Sequence, residues 1–162
     1  GLRQAEMLTL KWDDVDIETA EVRVRGTKTQ NSRRTIELSS TTVAQLRSHR
    51  QAQRQHRLRL GPAWHEHGLV FPSSIGTPWL RRPFYRDYKM VVAISGVDDP
   101  ASVKWHTLRH TAATLWIKGS VDIYTVSRRL GHASAAFTMD VYGHLLKGQQ
   151  QHAAGVLDHL LA

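Results

Sequence analysis

The sequence predicts a mainly helical α+β fold with a small three-stranded antiparallel sheet at one edge. Between Val15 and Leu38 apolar and charged residues alternate with a period of two, the mark of half-buried strands. Beyond Pro100 apolar residues recur at helical spacing between cap residues and glycines. At 162 residues, with no long apolar run, the chain fits one domain that buries roughly 70% of its unfolded surface and has no membrane-spanning helix.

Each element has its own signal. Leu2, Met7, Leu8 and Leu10 around Glu6 predict a short amphipathic helix. Val15 and Ile17 alternate with acids, Val22 and Val24 with Arg23 and Arg25, and Ile36 and Leu38 flank Glu37, which gives three strands. The polar run 26–32 joins the second strand to the third as an exposed loop that carries Lys28. Ser39 and Ser40 cap a helix with Val43, Leu46 and Leu58 on one face and Arg47, Arg50, Arg54 and Arg57 on the other. Gly61-Pro62 stops it. Leu69-Val70-Phe71-Pro72 is a short buried stretch that leads into a turn through Gly76-Thr77-Pro78. A helix from about Pro83 to Ile94 precedes Gly96. Three more follow: His106 to Lys118 ending at Gly119, Asp122 to Leu130 ending at Gly131, and a run from Ser134 through Val141, Leu145 and Leu146. After a hinge at 148–151, Val156, Leu157, Leu160 and Leu161 form the apolar stripe of a last helix.

Composition narrows the partners. Twenty-two Lys and Arg against 14 Asp and Glu leave a net charge of +8, which favours a polyanion. The excess is clustered: Arg23, Arg25, Lys28, Arg33 and Arg34 stand together without an acid, and Arg81, Arg82, Arg86 and Lys89 form a second group. Such runs read equally as solvated faces. The absence of cysteine excludes disulfides, thiolate metal sites and a cysteine nucleophile, and suits a reducing, cytoplasmic location. No Gly-rich phosphate loop points to a nucleotide. His65-Glu66-His67 and the pair His106 and His110 have spacings seen in zinc sites but lack a third ligand, so neither metal nor cofactor is expected. His110 is expected on the helix face away from any ligand of Arg109, and His49, His56, His144, His152 and His159 at the surface.

The segment Trp105-His106-Thr107-Leu108-Arg109 puts an imidazole and a guanidinium three residues apart, close enough to share one ligand on a helix. Leu130-Gly131-His132 follows, and Tyr142 comes ten residues after that histidine. Singly, each box also reads as ordinary structure: Tyr142 as a half-buried helix tyrosine, Arg3 and Arg109 as ion-pair partners of Glu6 or Asp140, His132 as a helix-end cap. Taken in order, His-x-x-Arg, Leu-Gly-His and tyrosine resemble the catalytic domain of the tyrosine recombinases, or phage integrases. Gly1-Leu2-Arg3-Gln4-Ala5-Glu6 is similar to that family's first box and Gly26-Thr27-Lys28-Thr29 to its lysine loop.

The resemblance covers the chain from the first box past the tyrosine. It implies duplex DNA as substrate, a 3'-phosphotyrosine formed by Tyr142, no cofactor, and self-association on DNA, with the carboxy-terminal helix as a candidate contact. Arg3 and Arg109 would neutralise charge on the non-bridging phosphate oxygens, a task suited to a planar, permanently charged fork. By the same resemblance His106 assists proton transfer near the nucleophile, His132 hydrogen-bonds the phosphate, and Lys28 is the general acid for the leaving 5'-oxygen. Arg25, Arg33, Arg34, Arg81 and Arg82, with Arg23 and Arg86, are candidates for contacts to the DNA backbone, which position without reading sequence. Gly1 is not a natural start, so residues 1–162 read as a catalytic domain truncated at its amino-terminal end and lacking an amino-terminal DNA-clamping domain. A type IB topoisomerase and a non-catalytic DNA-binding module are the alternatives.

Overall fold

The computed structural model of the chain describes residues 1–26 and 33–146, with Asp158 and Leu161 beyond them. Lys28 with the rest of positions 27–32 of its loop, and Val156, Leu157 and Leu160 of the expected terminal stripe, lie outside the described residues.

A short helix α1 (Gln4–Leu8) leads into a sheet of three antiparallel strands, β1 (Val15–Asp16), β2 (Glu21–Arg25) and β3 (Arg33–Glu37), in the order β1-β2-β3. Val22 pairs with Ile36 and Val24 with Arg34, so these four side chains share one sheet face. Val22 and Val24 are buried there against Leu10, Val15 and Val70. The opposite face carries Arg23, Thr35, Arg25 and Arg33, with Arg25 paired directly to Arg33.

Helix α2 (Ser40–Leu60) begins at Ser39, whose hydroxyl accepts from the Thr42 amide, and ends at Gly61. No residue of α2 is fully buried, and Leu58, expected on its apolar face, is 80% exposed. Polar bonds hold the helix down instead. His49 lies between Trp12 and Phe71 and donates from Nε2 to the Val70 carbonyl, Gln53 donates to Leu69, and His56 donates to Ser74. His49 and His56, expected at the surface, are half-buried. Their i,i+4,i+7 spacing with Gln53 puts all three on one stripe over the 69–74 segment, whose carbonyls need donors.

The second half is helical: α3 (Arg81–Ala93), α4 (Trp105–Lys118), α5 (Ile123–Leu130) and α6 (Ala135–Tyr142), followed by a 3-10 turn at Gly143–Leu146. Asp122 and Ser134 cap α5 and α6 by accepting from the amides of Thr125 and Phe137. Gly119 ends α4 without entering the left-handed region, and Ser120 takes that conformation with φ 61°. Ala113, Ile117, Val126, Leu130 and Tyr142 form a second core. Phe84 and Tyr88 each pack edge to face against Trp105 where α3 meets α4. The two cores meet along the Gly1–Glu6 segment and β3, which is where the sequence boxes converge.

Candidate active site

Arg109 stands on the same stripe of α4 as Ala113 and Ile117 and is 3% exposed. Its guanidinium donates to the Gly1 carbonyl at 2.7 Å and to the Leu130 carbonyl at 2.6 Å. Arg3 donates to the Gly131 carbonyl at 2.8 Å and to Glu6 at 2.9 Å. Both arginines therefore rest on the last carbonyls of α5, the negative end of that helix. Burial first, and then the neighbouring Arg3, bring the Arg109 pKa down to about 10, which leaves it charged at neutral pH.

One carboxylate organises this cluster. Burial disfavours ionised Glu6, but hydrogen bonds from Arg34 and Arg3 outweigh it and hold its pKa at about 2. Arg34 donates to both Glu6 oxygens at 3.0 and 2.9 Å and, from Nε, to the Arg129 carbonyl at 2.7 Å. The sequence expectation put Arg34 among the DNA contacts, yet its side chain is only 7% exposed and its guanidinium is turned into the molecule. The cause is register, since Arg34 lies two residues from inward-facing Ile36 and opposite buried Val24. Arg33, by contrast, is exposed on the outer face, as are Arg23 and Arg25, with Arg25 also paired to Asp14.

Gly131 makes the crossing possible. It adopts the left-handed conformation, φ 68° and ψ 47°, and a Cβ there would lie 2.6 Å from the Arg34 guanidinium. The turn delivers His132, whose Nδ1 is 2.8 Å from the hydroxyl of fully buried Thr138 on α6. Burial, followed by the charges of Arg109, Arg3 and Arg34, depresses the His132 pKa to about 4, so the ring is neutral at pH 7. With Nδ1 occupied, Nε2 is the nitrogen left for a ligand. A depression beside His132 is lined by Arg33, Arg128, Tyr124 and Ser134. Arg81, Arg82, Tyr85 and Arg86 line another with Gln4, the residue after Arg3.

Tyr142 ends α6 and is 4% exposed, its ring packed in the second core. Burial raises its pKa, opposed by Arg109, and the phenol stays protonated. Its hydroxyl is 2.6 Å from Nδ1 of His110. This corrects the expectation that His110 packs away from the chemistry. His106, one turn earlier on α4, is exposed and sits edge to face with the His110 ring at 4.5 Å. Burial and the adjacent His110 and Arg109 lower its pKa. The fold thus brings Arg3, His106, Arg109, His132 and Tyr142 into one cluster. The sequence offered Glu6 as an ion-pair partner of Arg3, but not as the shared anchor of Arg34, and it missed Thr138 as the His132 partner and His110 as the Tyr142 partner. The i,i+4 spacing of His106 and His110 was legible, but Oη of Tyr142 as the bonding partner was not.

Arg3 and Arg34 thus meet at the Glu6 carboxylate, Arg109 stands beside them on backbone carbonyls, and a neutral imidazole and a buried phenol adjoin the cluster. Residues 1–149 match the Phage integrase family, and the chain belongs to that family. It is 32% identical over 185 residues to a XerC-like tyrosine recombinase of Caldanaerobacter subterraneus subsp. tengcongensis, covering 99% of this chain and 46% of the relative. It is likewise 32% identical over 174 residues to the ICEBs1 integrase of Bacillus subtilis, covering 99% of this chain and 46% of that protein. Among solved structures, XerA recombinase superposes with a TM-score of 0.69 at 28% identity, over 85% of this chain and 46% of XerA. The chain spans about half the length of the curated relatives it matches.

Proposed function

We propose that this chain is the catalytic domain of a site-specific DNA recombinase that cuts and rejoins duplex DNA through a 3'-phosphotyrosyl bond to Tyr142. The observation that carries the reading is the excess of positive charge around one phenol. Arg3 and Arg34 hydrogen-bond Glu6 and Arg109 stands beside them on the Gly1 and Leu130 carbonyls, so positive charge gathers where a DNA phosphate would bind. Arg3 and Arg109 stabilise the charge that develops on the non-bridging oxygens. His132, with its Nδ1 held on the Thr138 hydroxyl, donates from Nε2 to one of them. Lys28 protonates the leaving 5'-oxygen, and the energy of the broken bond is kept in the phosphotyrosine for rejoining. Arg25, Arg33, Arg81 and Arg82 bind backbone phosphates around the site. Arg34 holds Glu6, and through it Arg3, in place.

The whole protein carries this domain on a longer chain with an amino-terminal clamp, acts on DNA in the cytoplasm, and self-associates on DNA through the stripe Val156, Leu157, Leu160 and Leu161. Removing everything after Gly148 is expected to abolish self-association on DNA while leaving the fold intact, which sedimentation with and without duplex measures.

The central test is covalent capture. On a nicked suicide duplex the short 3' piece diffuses away after attack, so the adduct persists on a denaturing gel and its phosphotyrosine maps to Tyr142. Tyr142→Phe removes the hydroxyl alone and is expected to keep DNA binding and lose the adduct. An adduct that survives in Tyr142→Phe places the nucleophile on another phenol, and the absence of any adduct from the unaltered protein favours a non-catalytic DNA-binding module.

A further inference from the structure

The histidine that touches the nucleophile is not the one in the His-x-x-Arg box. Nδ1 of His110 lies 2.6 Å from Oη of Tyr142, a short contact between side chains 32 residues apart, and the two rings are 5.7 Å apart. His106 makes its close ring contact with His110. With the phenol as donor and Nδ1 as acceptor, His110 is in the Nε2-protonated tautomer, the arrangement that lets the proton pass between them. Both partners are held from behind: His110 by α4, whose Arg109 and Ala113 are buried, and Tyr142 by the second core.

We infer that His110 is a catalytic residue of the strand-transfer reaction, the base that takes the proton from Tyr142 and returns it on rejoining. The inference rests on the proposed nucleophilic role of Tyr142. In the forward step the Oη–H bond breaks and its proton passes to Nδ1 of His110. The phenolate oxygen forms the bond to phosphorus as the bond from phosphorus to the 5'-oxygen breaks, and that oxygen takes a proton from the general acid. In the reverse step the 5'-hydroxyl gives its proton back to that acid and attacks phosphorus, the tyrosine oxygen leaves, and His110 reprotonates it. His106 then tunes His110 through their edge-to-face contact and acts as a positioning residue.

The experiment compares the unaltered protein, His110→Ala, His110→Asn and His106→Asn on the suicide duplex, with and without added imidazole. Adduct mapped to Tyr142 in the unaltered protein secures the reading beneath the inference, and its absence there fails that reading rather than this one. His110→Ala is expected to slow adduct formation by about a hundredfold or more, with DNA binding unchanged, and imidazole should restore part of the rate. His110→Asn fills the space and keeps a polar group but cannot take a proton, so it should stay slow and unrescued. A 5'-bridging phosphorothiolate, which leaves without a proton, should rescue a Lys28→Ala variant and neither His110 variant. Cleavage by His110→Ala or His110→Asn within a few-fold of the unaltered rate overturns the inference, as does imidazole rescue confined to His106→Asn. Should the substituted proteins fail to fold, the nitrogen-15 shift of Nδ1 in the DNA-free protein decides. It is expected to move on Tyr142→Phe, and an unmoved resonance overturns the inference.

Discussion

At the scale of single residues, the site depends on positions whose side chains, or lack of one, cannot be exchanged. Gly131 is left-handed and lies against the Arg34 guanidinium, so Gly131→Ala meets both backbone strain and a collision. The backbone alone costs about 1–2 kcal/mol, and a urea midpoint should fall by at least that equivalent. A midpoint within experimental scatter of the unaltered protein would mean that Arg34 and the turn yield without cost. Titration gives a second expectation. Glu6 is held at about 2, below its unfolded value of 4.5, so its contribution is present above 4.5 and lost as pH falls toward 2. His132 is held at about 4 against 6.5, so the unfolded chain takes up its proton first and stability declines from 6.5 down to 4. Thermal midpoints should therefore fall in two successive stages on acidification, and His132→Gln should flatten the upper one.

At the scale of elements, α6 does more than its length suggests. It has eight residues, too few to be stable alone, and carries Thr138, which bonds His132, and Tyr142, which bonds His110. Its amino-terminal end is tied by the Ser134 hydroxyl, which accepts from the Phe137 amide, while the Ser134 carbonyl accepts from Ser127 on α5. Ser134→Ala is expected to cost about 0.5–2 kcal/mol in chemical denaturation. It should also slow adduct formation at Tyr142 without altering DNA affinity, because fraying begins where α6 meets the site. Unchanged stability and unchanged adduct rate would show that packing against Ala113, Ile117, Val126 and Leu130 suffices to place the tyrosine.

At the scale of the molecule, the charge of +8 is arranged in two ways. Arg109 and Arg34 are inside, held by carbonyls and Glu6, whereas Arg23, Arg25, Arg33, Arg81 and Arg82 are on the surface. In the proposed function the surface set governs affinity and the inner set governs chemistry. DNA binding by this chain alone should be weak, indifferent to sequence, and steeply reduced by salt, with log Kd linear in log salt at a slope of about 0.9 per phosphate contacted. Arg33→Ala and Arg82→Ala should each lower that slope by about one contact, while Arg109→Ala should remove cleavage and leave the slope nearly unchanged. Equilibrium binding across a salt series measures both. A salt-independent, site-selective nanomolar Kd for this chain would contradict the arrangement.

Much of this was legible in the sequence because it is written locally. Period-two alternation marked the three strands, Ser39, Asp122 and Ser134 marked helix starts, Gly61 and Gly131 marked helix ends, and the ordered boxes named Arg3, His106, Arg109, His132 and Tyr142. What remained depended on which distant segments meet. Arg34 and Arg33 are neighbours of the same type, and only the pairing of β2 with β3 sends one to Glu6 and the other to solvent. His49 and His56 read as surface residues, and only the fold brings the carbonyls of the 69–74 segment to them. His106 and His110 lie one turn apart, and the packing of α6 on α4 decides which of them reaches Tyr142. Local pattern determines an element because its hydrogen bonds and apolar spacing lie within a few residues. The partner of a buried charge or a ring nitrogen lies across the core, so only the tertiary structure could choose it.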